Sequence, residues 1–298
     1  MSDDLPDVIG ALPALAAAGK LDELGDVVNA DGIRMAAAGV EAMTYAALDW
    51  PWEKTPVHRY TAHAFGYLPP APYATSRVDI EDAGNITADK KLRGKRIKVT
   101  LDRLRVQDYP GSGQHMILFD FYARHQTDTV DQDVRFNQVY RVQEGSGAGI
   151  SGYPVFIGLK VGEEGVAFRC YTVNVENNDD QRILSFLDSD VFKKGLELLN
   201  TVNPVVPVVS EFATGITKAF ANRNKNVPVQ DFFLGLDFSG IGTRAQLRQG
   251  SYIAVQTPDL VWDWTPWQYA PSNGQIVGRD GGAMPFNYVV FSVSQMGG

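Results

Sequence analysis

The residues able to do chemistry are few and scattered. Four histidines, His58, His63, His115 and His125, stand in a chain of 298 residues. His58 and His63 are five apart, a spacing that does not share one helix face, and no H-E-x-x-H ligand set occurs. Cys170 is the single cysteine, so neither an intrachain disulfide nor a multi-cysteine zinc site can form. It stands in the alternating run Val166–Val173, where Phe168 and Cys170 share a side, which predicts a buried thiol rather than a nucleophile. No G-x-S-x-G elbow is present. The run Gly147-Ala148-Gly149-Ile150-Ser151-Gly152 matches G-x-G-x-x-G in letters. Dinucleotide binding needs a helix to open at that point, so that its N-terminus faces the pyrophosphate. Here Tyr153-Pro154 and the strand-like Val155–Leu159 follow, so the run reads as a connection between strands.

Carboxylates offer a second chemistry. Asp128, Asp131 and Asp133 fall in one presumed loop, and Glu176, Asp179 and Asp180 in another. Loops at one end of a sandwich can converge on calcium, which takes six to eight oxygen ligands. An arrangement of that kind resembles the C2 fold, a calcium- and lipid-binding sandwich, and the likeness is one of architecture. It implies Asp128, Asp131, Asp133, Asp179 and Asp180 as the candidate metal ligands. The plain alternative is solvated loop charge. Distant carboxylates such as Asp120 and Asp237 would be the acids of a hydrolase.

Aromatic residues offer a third. Trp262, Trp264, Trp267 and Tyr269 stand within the nine residues Val261–Tyr269. Rings with polar edges form platforms for a sugar face, a peptide or a partner protein, and they also fill cores. These four are the candidate ligand- or partner-binding residues. No cofactor is expected.

The elements that must position these groups follow from composition and period. The hydrophobic fraction of 44% and charged fraction of 21% are those of an ordinary globular protein. A formal charge of −8 disfavours nucleic acid as the main partner. The basic run Lys90–Lys98 reads as the solvated start of a strand. The acidic start Met1-Ser2-Asp3-Asp4 is unlike a secretory signal, and no run approaches a membrane span. The expected location is the cytoplasm.

Residues 1–50 are alanine-rich, and Ile33, Ala37, Val40, Met43 and Ala47 recur at three- and four-residue steps, which predicts a helical N-terminal arm. Prolines 51, 56, 69, 70 and 72, interleaved with aromatics, predict an extended linker over 51–94. From 95 the period is two. Ile97, Val99 and Leu101 alternate with Arg96, Lys98 and Thr100, and further strands are predicted at 116–124, 135–142, 154–161, 166–175, 232–238, 252–256 and 287–294. A helical hairpin is inserted at about 189–226, broken by Asn203-Pro204. The fold expected over 95–298 is a mainly β body, an antiparallel β-sandwich of C2-like or jelly-roll-like type.

Without a catalytic pattern, the sequence points to a non-catalytic interaction or self-assembly protein whose partner is another protein or a second copy of itself. The alternatives are a module binding carbohydrate, or calcium and lipid, and a hydrolase acting through distant carboxylates.

Overall fold

The computed structural model describes residues 55–126, 131–176, 225–239, 245–259 and 261–297. The helical arm expected over 1–50 lies outside them, as does the hairpin expected at about 189–226 except for Lys225 and Asn226. What is described is mainly β. Its strands are β1 (Ala62–Leu68), β2 (Val78–Asp79), β3 (Glu81–Asp82), β4 (Arg96–Val106), β5 (Gln114–Gln126), β6 (Asp131–Gln143), β7 (Ser146–Gly147), β8 (Tyr153–Lys160), β9 (Gly165–Asn174), β10 (Val227–Asp237), β11 (Ala245–Gln246), β12 (Gly250–Thr257), β13 (Trp267–Ala270), β14 (Gln275–Gly278) and β15 (Tyr288–Gln295). Among the described residues no helix is long and apolar enough to cross a membrane.

These strands form three sheets. The largest has the order β3-β1-β12-β15-β4, with β7 and β8 sharing the far side of β4; the second runs β11-β10-β9-β5-β6; the third is β14-β13-β2. The named pairings are antiparallel except for the short parallel contact of β10 with β11.

Period-two burial builds the main core. On β4, Ile97, Val99 and Leu101 are buried while Arg96 and Lys98 are exposed. Inward residues of the two larger sheets share one cluster, in which Phe121 on β5 stacks on Phe168 of β9 at 5.5 Å and meets Phe291 of β15 at 5.3 Å. The largest sheet is buried on both faces in its middle. On β12, Tyr252 and Ala254 join the main core while Ile253 and Val255 join a second cluster, with Trp264, Ile276 and Met284 from the other side. Such strands read as unbroken apolar runs.

Strand β1 lies inside the segment read as a linker from its prolines. Its seven residues pair with β12 in the largest sheet. Pro56, Pro69, Pro70 and Pro72 flank the strand, so none removes a ladder hydrogen bond.

The presumed acidic loop is corrected in part. Asp131 and Asp133 open β6, in register with Gln126 and Arg124 of β5, because the β5–β6 ladder runs on beyond the alternation that begins at Val134. Asp128, Asp179 and Asp180 lie outside the described residues.

Candidate interaction site

The outer face of the second sheet carries an ordered array of charge and aromatic rings. Strands β5, β9 and β10 turn Phe119, Phe121, Phe168, Cys170, Phe232 and Leu234 inward, so the alternate positions face outward. Register then lines those positions up in rows. Arg135, Tyr122, Arg169 and Phe233 form one row across β6, β5, β9 and β10; Asn137, Asp120, Tyr171 and Asp231 form the next.

The first row alternates cation and ring. The Arg135 guanidinium sits 5.0 Å from the Tyr122 ring centre and that of Arg169 4.7 Å from the Phe233 ring, with Tyr171 at 5.6 Å. Each arginine also reaches diagonally to a carboxylate of the second row. Arg169 grips Asp231 in a bidentate pair, both N–H···O distances 2.9 Å, and Arg135 meets Asp120 at 3.4 Å. The bond to Asp231 holds the Arg169 guanidinium above its ordinary range. Burial, helped by the Asp231 charge, pushes the Tyr171 hydroxyl up to about 12. Phe233 remains 69% exposed. Exposed aromatic rings clamped beside arginines have the composition of interface anchors.

The same sheet ends in a long edge. β6 runs for 13 residues, contains no proline or glycine, and pairs with β5 without a register shift. Among the described residues no strand pairs with its other side. Proteins blunt such edges with proline, bulges, short strands or charged side chains, because open N–H and C=O groups recruit another strand; β6 has neither proline nor bulge and carries Asp131, Asp133, Arg135 and Arg141. Beside this edge Tyr153 of β8, half exposed, lies against Phe136 of β6 with ring centres 5.6 Å apart.

The four residues singled out near the C-terminus do come together, with unequal exposure. Trp264 is buried against β1, where a Cβ on Gly66 would fall 2.9 Å from its ring. Trp262 and Trp267 are half-buried and stacked, centres 6.2 Å apart, and Tyr269 meets Tyr73 edge-on at 5.8 Å. The indole N–H groups of Trp262 and Trp264 are buried and have no hydrogen-bond partner among the described residues.

The other candidates disperse. Asp120 sits in the middle of β5, whereas Asp237 ends β10, where it accepts from the Ser239 amide. Among the described residues no group of three or more His, Cys, Asp or Glu side chains is placed to hold a metal ion. Burial drives the Cys170 thiol well above its ordinary value, which suits a core residue. The glycine run 147–152 joins β7 to β8, and no helix opens there.

One polar cluster had no sequence signal. Between Val290 and Phe291 the register of β15 on β4 shifts, so that Asp102 is the extra residue of a bulge. Asp102 accepts hydrogen bonds from Ser292 and Thr100, and Ser292 shares a 2.7 Å hydroxyl bond with Ser251 of β12. Burial raises the Asp102 carboxyl, and the hydroxyl donors moderate the rise.

The outer-face rows were also missed as a unit, although their residues carried a signal. Tyr122, Arg135, Arg169, Tyr171 and Phe233 stand at outward positions of β5, β6, β9 and β10. No family model, curated protein or solved structure matches the chain.

Proposed function

We propose that the protein is a non-catalytic interaction or self-assembly protein, with its two larger sheets packed as an antiparallel β-sandwich. The observation that carries this reading is the 13-residue strand β6, which no strand pairs on its outer side among the described residues and which neither proline nor bulge interrupts. The neighbouring outer face, with Phe233 exposed beside Arg169, supplies the residue types that anchor protein contacts. A symmetric homo-oligomer is the natural product, since closed symmetry predominates among soluble assemblies. A cytoplasmic setting belongs to the same reading and is supported by the single thiol, Cys170, which is free and buried.

Sedimentation velocity over a dilution series tests the reading. A sedimentation coefficient that rises with concentration supports it, and one that stays at the monomer value throughout removes it.

A second reading places a ligand at the tryptophan segment. The Trp262–Trp267 stack, both rings half-buried, supports it, because a sugar packs on the face of an aromatic ring. Calorimetry with a glycan panel decides it: heat that is lost in Trp267→Ala supports the reading, and no heat with any glycan ends it.

A further inference from the structure

Two arginines stand side by side on β4 with no carboxylate to balance them. Leu104 and Val106 of this strand face the main core, so Arg103 and Arg105 turn to the opposite face, two residues apart. Arg105 is only 8% exposed, and its Nη2 donates to a neutral acceptor, Gln107 Oε1, at 2.8 Å. Arg103 donates from Nη1 to the Asn273 carbonyl at 2.8 Å, while its Nε is buried with no hydrogen-bond partner among the described residues. None of the ion pairs among the described residues includes either guanidinium. Arginine stays charged in proteins, and a charge taken out of water is costly unless it is paired.

The neighbours do not supply the missing charge. Tyr288 is fully buried and feels both guanidiniums, yet burial raises its hydroxyl in spite of them, so it stays a neutral phenol. Asp102, the preceding residue, turns its carboxyl to Ser292, Thr100 and the Gly152 amide instead. Burial lowers the Arg105 guanidinium from its ordinary range; Tyr288 opposes that shift and the Arg103 charge adds to it.

The space beside the pair is kept clear of side chains. In the β4–β7 ladder Gly147 lies directly opposite Arg105, and a Cβ on Gly147 would stand 3.2 Å from Arg103 Nε. A Cβ on Gly274 would stand 3.0 Å from Arg103 Nη1. Gly149 and Asn273, which follow and precede these two glycines, are exposed, so the guanidiniums lie beside solvent-facing loops rather than in a sealed core. The glycine run 147–152, which opens no helix for a dinucleotide, thus borders a pair of arginines.

We propose that Arg103 and Arg105 form an anion site that takes a phosphate group, free or carried by a small molecule. Guanidinium forks match the oxygens of phosphate, and two cations on one strand face balance the two negative charges it carries. The site goes beyond the self-association proposed above and does not depend on it.

Calorimetry of the full chain with inorganic phosphate tests the proposal, at low ionic strength and about pH 8, where phosphate is doubly charged. A chain of formal charge −8 repels anions in general, so saturable binding reports a local site. Acetate at matched ionic strength is expected to bind about ten-fold more weakly or less, since it offers one charge. Phenyl phosphate alongside separates the sources: tighter binding than the free ion points to an ester, and equal or weaker binding to phosphate itself. Arg103→Gln and Arg105→Met are each expected to raise the phosphate Kd about ten-fold or more, with circular dichroism to check that they are folded. Arg105→Met also reads the uncompensated charge directly. In phosphate-free buffer its Tm should equal or exceed that of wild type, because an apolar chain replaces an unpaired buried cation. Added phosphate should then raise the Tm of wild type and leave that of the variant unmoved. Wild-type protein that shows no saturable phosphate binding overturns the proposal, whether or not the variants fold. Binding that both variants retain overturns it, and so does acetate bound as tightly as phosphate.

Discussion

Gly66→Ala is the smallest change that tests the packing of the central sheet. Gly66 lies in the middle of β1, with β12 on one side and Asp82 of β3 on the other. A Cβ at this position would stand 2.6 Å from Cγ2 of Ile80 and 2.9 and 3.0 Å from two carbons of the Trp264 ring. Ordinary carbon contacts lie near 3.5–4.0 Å, so the methyl overlaps Ile80 by about 1 Å, and the indole beside it is itself buried. Neither neighbour can swing away into solvent. Overpacking of this kind costs about 1–3 kcal/mol. In a chain of this size that lowers Tm by roughly 2–4 °C for each kcal/mol. Thermal and urea unfolding followed by tryptophan fluorescence is the assay, since Trp264 reports from the site. Gly149→Ala is the control, because a Cβ there meets nothing within 4 Å. Ile80→Ala combined with Gly66→Ala should cost less than the sum of the two, since it removes one of the clashing carbons. A Gly66→Ala protein within about 0.5 kcal/mol of wild type refutes the close approach of Trp264 and Ile80 to β1.

Two further predictions concern buried polar groups. Asn287 is fully buried; its amide nitrogen donates to Asp108 O at 2.7 Å and Gln256 Oε1 at 3.0 Å, while its oxygen accepts from the Gln107 and Asp108 amides. Asn287→Ala strands those partners and should cost about 3 kcal/mol in a urea titration; a loss under about 1 kcal/mol would show that the network is dispensable. Burial holds the Asp102 carboxyl above its ordinary value near 4. Just above pH 4 the folded chain therefore keeps a proton that the unfolded chain has released, and ionising Asp102 works against the fold as pH rises through the raised value. The stability of Asp102→Asn relative to wild type should accordingly climb across that window, and a flat or falling difference contradicts the assignment.

How legible each part was in the sequence depends on how many faces of it are buried. β4, β5, β9 and β10 alternate, because one side meets the main core and the other meets solvent or charge, so their period of two could be read directly. β1 could not. It is short, buried on both faces, and set among prolines that mark its ends, so the composition around it spoke louder than its own pattern. β13 and β14 are four residues each, too short to show a period; Ile276 of β14 and the rings of Trp267 and Tyr269 of β13 join the cluster around Trp264 and Met284. The tryptophan segment stood out in the sequence, yet ring content alone does not separate Trp264, which closes a core, from Trp262 and Trp267, which remain half-buried. The rows on the outer face needed strand register, which aligns Arg135, Tyr122, Arg169 and Phe233 from positions 13 to 64 residues apart. The Asp102 cluster needed a bulge, and a one-residue slip in a ladder leaves no mark in composition.

The most direct measurement of the central claim is the mass of the full chain in solution, by light scattering across a concentration series. The account predicts a mass that climbs towards twice the 32.7 kDa of one chain and falls back on dilution. A mass of one chain at every concentration would contradict it.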